Sequence, residues 1–66
     1  MKVKELITRL QACDPESIVV IAGYEGGVDE LIDVNAVHIR LNANTAWYYG
    51  RHALDENSNT EAVYLT

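Results

Sequence analysis

Residues 3–21 read VKELITRLQACDPESIVVI, and the period of this stretch changes in its middle. Val3, Leu6, Ile7 and Leu10 recur at i, i+3, i+4 and i+7, one face of a helix, while Lys2, Lys4, Glu5, Thr8, Arg9 and Gln11 take the other face. This spacing predicts an amphipathic helix over residues 3–13, with Leu6 and Leu10 as core positions. Asp14-Pro15 ends it, because proline cannot continue the hydrogen-bond ladder and pushes the residue before it out of the helical region. Beyond the break, Ile18 to Tyr24 is short, β-branched and apolar on both alternations, which predicts a strand covered on both faces and central in a sheet. A helix followed by strands, with no return to helical spacing, points to the α+β class.

Working outward, Gly26-Gly27 supplies freedom for positive φ and Asp29-Glu30 adds charge, so residues 25–30 read as a turn at which the chain reverses. In Asp33 to Asn42, Val37, Ile39 and Leu41 alternate with His38, Arg40 and Asn42, the pattern of a half-buried strand. Leu31 and Val34 could extend that strand past a bulge. Residues 62–66 repeat the strand pattern, and residues 43–60 form a long polar connection, usually functional or mobile in a small domain. The expected architecture is a single small domain over residues 1–66, an N-terminal helix packed on a three-stranded, mainly antiparallel sheet in the order α-β-β-β. One helix covers one face of a sheet, so the other face of the first strand predicts self-association through the sheet, as a homodimer or larger homo-oligomer.

Composition narrows the function classes. Ten Asp and Glu against five Lys and Arg give a net charge of −5, which disfavours direct nucleic-acid binding, where phosphates are met by clustered basic residues. A basic protein partner fits better. The single cysteine, Cys13, cannot form an intramolecular disulfide, which suits a reducing cytoplasm. The apolar residues after Lys2 and Lys4 are interrupted by Glu5, Thr8 and Arg9, unlike a signal peptide, and no run approaches the roughly 20 apolar residues of a membrane span.

Two segments invite functional readings. Gly23-Tyr24-Glu25-Gly26-Gly27-Val28-Asp29-Glu30 lacks the Lys-Ser/Thr of a phosphate loop and the glycine spacing of a dinucleotide loop. Glu25, Asp29 and Glu30 lack the alternating oxygen ligands of a calcium loop, so the segment reads as a turn with solvated charges and no metal or other cofactor is expected. Trp47-Tyr48-Tyr49-Gly50-Arg51-His52 concentrates three of the five aromatic residues. Two readings stand for it: core filling, toward which Trp47 leans, and recognition, toward which Arg51 and His52 lean. No catalytic constellation emerges. His38 and His52 have no serine or cysteine nucleophile beside them in sequence, and Cys13 sits where the negative end of the helix dipole disfavours a thiolate.

Met1-Lys2-Val3 leading into Glu5-Leu6-Ile7, then Asp14-Pro15, Gly23-Tyr24-Glu25-Gly26-Gly27 and Trp47-Tyr48-Tyr49-Gly50, resembles a family of short bacterial proteins, many carried by prophages and other mobile elements. The resemblance spans most of the chain and implies no catalytic residue or cofactor. It implies a context in which small acidic proteins occupy surfaces of host or defence proteins, as anti-CRISPR inhibitors do. The preferred expectation is a non-catalytic protein-binding module whose partner-binding residues are Trp47, Tyr48, Tyr49, Arg51 and His52, with Glu25, Asp29, Glu30, Asp55 and Glu56 meeting basic groups. The alternatives are an enzyme or a metal- or ligand-binding domain at the Gly-rich turn, and a structural protein that pairs only with itself.

Overall fold

The computed structural model describes residues 1–66 and is α+β. One helix, α1 (Val3–Gln11), precedes five strands, β1 (Val20–Ala22), β2 (Val28–Glu30), β3 (Val34–Arg40), β4 (Ala53–Leu54) and β5 (Thr60–Leu65). The strands pair antiparallel in two sheets, a β1–β2 hairpin and a three-stranded sheet in the order β4-β3-β5. Backbone contacts divide the chain into two units, Met1–Ile32 with Thr66, and Asp33–Leu65.

In the first unit, α1 starts from an extended Lys2 with no side-chain cap, and the Lys2 carbonyl accepts bonds from the Glu5 and Leu6 N–H groups at 3.0 and 3.1 Å. Its end is built as the sequence predicts, slightly earlier than residue 13. Cys13 N–H donates to the Leu10 carbonyl at 3.0 Å. Asp14 then accepts the Glu16 N–H on Oδ1 at 2.9 Å and the Ser17 N–H on its carbonyl at 3.0 Å, a turn built around Pro15.

Leu6 and Leu10 are not core residues. No side chain of the chain is fully buried, Leu6 is half-buried, and Leu10 is 47% exposed. Helical spacing marks which face is apolar but not how completely it is covered. Leu10→Ala should therefore cost on the order of 1 kcal/mol, the transfer energy of a half-buried leucine, well below the 2–5 kcal/mol of a core truncation. Thermal unfolding of that variant checks the difference.

The first strand also departs from expectation. It is not central in the three-stranded sheet: only Val20–Ala22 are strand, paired with Val28–Glu30 in the register Val20 to Glu30, Ile21 to Asp29 and Ala22 to Val28. Ile18 is 70% exposed. The cause lies in the turn, which returns the chain at once and supplies a local partner with little loop-closure entropy. Glu25 (φ 49°, ψ 47°) and Gly26 (φ 81°) both adopt the left-handed region, a conformation free of steric cost only for glycine. Gly23 N–H donates to the Gly27 carbonyl at 2.9 Å, and Gly27 N–H to the Tyr24 carbonyl at 3.0 Å. Leu31 does not extend β3; its N–H bonds the Val19 carbonyl at 2.9 Å and lengthens the hairpin.

In the second unit, β3 shows the predicted alternation, with Val37 and Ile39 half-buried and His38 and Arg40 exposed. Its partner β5 runs from Val34 opposite Leu65 to Ile39 opposite Thr60. The long connection holds one element that the sequence pattern leaves invisible, the two-residue β4 opposite Ile39 and Arg40. Asp55 carries the chain from β4 into β5: its N–H donates to the His38 carbonyl at 3.0 Å, and its Oδ1 and carbonyl accept from Asn57 and Ser58 N–H groups at 3.0 Å each. An ion pair joins Arg40 and Asp55 at 4.0 Å, too exposed to contribute more than about 1 kcal/mol.

Candidate functional site

The connection between β3 and β4 is a loop with a closed neck and an aromatic tip. The chain leaves β3 through Asn42, whose φ of 54° lies in the left-handed region that asparagine tolerates better than most residues. Asn42 N–H donates to His52 Nδ1 at 3.0 Å, which fixes this nitrogen as the unprotonated acceptor of the imidazole. Asn44 bonds twice across the same neck, from its N–H to the Arg51 carbonyl at 3.0 Å and from Nδ2 to the Gly50 carbonyl at 2.8 Å. At the tip, Tyr49 N–H donates to the Ala46 carbonyl at 3.1 Å. Adjacent ends and internal bonding are the features of a compact Ω-type loop.

The tip presents its rings outward. Trp47 is 93% exposed, Tyr48 67% and Tyr49 63%. Trp47, which the sequence reading leans toward packing, is thus the most exposed of the large apolar side chains. The rings contact one another: Trp47 and Tyr48 meet edge to face with centroids 5.6 Å apart, and Tyr48 and Tyr49 are tilted by 45° at 5.0 Å. Rings this exposed gain little stability from such pairs, which bias the tip toward one arrangement without anchoring it to the rest of the chain. Arg51 and His52 follow directly and are exposed.

The remaining sequence candidates fall elsewhere. Glu25, Asp29 and Glu30 are exposed on the β1–β2 hairpin of the first unit. Asp29 and Glu30 are consecutive residues of β2 and so point to opposite faces, which separates them as ligands for one ion. No group of three His, Cys, Asp or Glu side chains is arranged to hold a metal ion. Asp55 and Glu56 form the turn after β4, and His38 lies opposite Glu61 in the β3–β5 ladder. Cys13 Sγ lies 3.6 Å from the Arg9 carbonyl, as a weak donor at the end of α1.

Asn42 and Asn44, which make the neck, carry no candidate role in the sequence pattern. Their signal was present as two asparagines flanking Ala43 at the end of a strand, followed by Gly50, but the bonds they make run across the loop and have no periodicity. No family model matches the chain, and no match emerges among curated proteins or solved structures. No helix is long and apolar enough to cross a membrane.

Proposed function

We propose that this chain is a non-catalytic protein-binding module that grips its partner with the Trp47–His52 loop and acts by occupying that partner's surface. The observation that carries this reading is the trio of exposed aromatic rings on a loop whose neck is closed by three hydrogen bonds. Each ring can bury roughly 150–250 Å². Three together can supply about half of the roughly 800 Å² that one partner contributes to a standard interface. The bonded neck lowers the ordering cost of binding, since the loop is arranged before the partner arrives.

Arg51 adds a planar donor fork suited to a carboxylate or a carbonyl. The hairpin carboxylates Glu25, Asp29 and Glu30, within a net charge of −5, steer encounter with a basic surface from a distance and are screened by salt. The resemblance to prophage-borne proteins directs the search for that partner to host and defence proteins.

Tyr49→Ala and Arg51→Ala should each weaken binding to the captured partner by more than about 1 kcal/mol, mostly through faster dissociation. Asp29→Asn should leave the dissociation rate near the parent value and flatten the salt dependence of association. Surface plasmon resonance at two salt concentrations separates these effects. Folded loop variants that bind as tightly as the parent move the recognition surface away from this loop.

A further inference from the structure

We propose that two copies of this chain pair antiparallel through β5, joining their three-stranded sheets into one sheet of six strands. The sheet order β4-β3-β5 makes β5 an edge of six residues, while β4 at the other edge has only two. Protein edges are ordinarily blunted by proline, lysine, bulges or shortness. Thr60–Leu65 has no proline and no lysine, and Glu61 is its single charge. Val63, Tyr64 and Leu65 are 42%, 45% and 38% exposed.

A chain of 66 residues with no fully buried side chain has little core of its own, and domains of this size are marginal enough that oligomerisation is a common source of added stability.

The edge is self-complementary, which selects a second copy as its occupant. A two-fold axis through Val63 sets Val63 opposite itself, Ala62 opposite Tyr64 and Glu61 opposite Leu65, so no like charges face each other. At about 3.4 Å per residue the two Glu61 carboxylates stand roughly 14 Å apart along the seam, beyond the ~8 Å screening length of physiological salt. Directly opposed residues share a face, so Val34 with Leu65 and Ala36 with Val63 already form an apolar patch on one side of the sheet. The axis repeats that patch across the seam and makes it continuous.

Cysteine placement tests the register. Opposed residues in an antiparallel pair have Cα atoms about 4.5–5.5 Å apart, inside the disulfide range. In a Cys13→Ser background, Val63→Cys should oxidise to a covalent dimer of twice the 7.4 kDa chain mass. Glu61→Cys and Leu65→Cys should each form no covalent dimer when oxidised alone and cross-link when mixed. The mixed pair reads the same register at two exposed positions should Val63→Cys fail to fold. Light scattering of the parent at micromolar concentration should give a dimer. A parent that remains monomeric overturns the proposal, and so does a dimer in which Glu61→Cys links to itself as readily as Val63→Cys.

Discussion

Trp47→Ala should leave the thermal midpoint within a degree or two of the parent while reducing affinity for the protein partner by at least about thirtyfold, a loss of roughly 2 kcal/mol. The two halves of this result follow from one fact. At 93% exposure, the indole contributes almost nothing to the stability of the free chain, so its removal has little to destabilise. Its exposed area is available in full to a partner, and tryptophan is the residue most enriched among interface positions of large effect. A midpoint lowered by several degrees would show that the ring is packed in solution and would remove the basis of the loop reading. Circular dichroism and surface plasmon resonance on the same sample give both halves.

A second large effect is expected in the concentration dependence of stability. If the β5 seam is required for folding, a tenfold increase in chain concentration adds about 1.4 kcal/mol to the dimer. Shared between two chains this is about 0.7 kcal/mol per chain, and at roughly 4–8 °C per kcal/mol for a domain this small, melts at two concentrations tenfold apart should differ by about 3–6 °C. Val63→Lys places two ammonium groups on the axis and should abolish that difference along with the dimer. Midpoints of the parent that coincide at both concentrations would contradict an obligate seam, whatever the behaviour of the loop variants.

The elements that could be read from the sequence are those that carry their own period. α1 announces itself through Val3, Leu6, Ile7 and Leu10, and β3 through the alternation of Val37 and Ile39 with His38 and Arg40; both stand where their patterns lie. The three-stranded antiparallel sheet was legible as a class, but its membership was not. Ile18 to Tyr24 looks like a central strand because its residues are apolar, and apolarity does not say which strand lies alongside. The tight turn through Glu25 and Gly26 decided the pairing in favour of Val28–Glu30. β4 was beyond reach because two residues cannot display a period.

The candidate site was half legible. Composition singled out Trp47, Tyr48, Tyr49, Arg51 and His52, yet aromatic rings serve cores and interfaces equally, and the choice between them depends on where the loop sits. The neck made by Asn42, Asn44 and His52 holds the rings at the surface, and its bonds connect residues with no local pattern between them.

Trp47 is the only tryptophan of the chain, which makes it a single-site reporter of what the aromatic loop touches. Chain labelled with 5-fluorotryptophan has one fluorine resonance, to be followed while the protein captured from cell lysate by the immobilised parent is purified and titrated in. Recognition through the aromatic loop predicts that this resonance shifts or broadens and loses its sensitivity to solvent isotope as the partner saturates. A resonance unchanged in position, width and isotope sensitivity at saturation would contradict it.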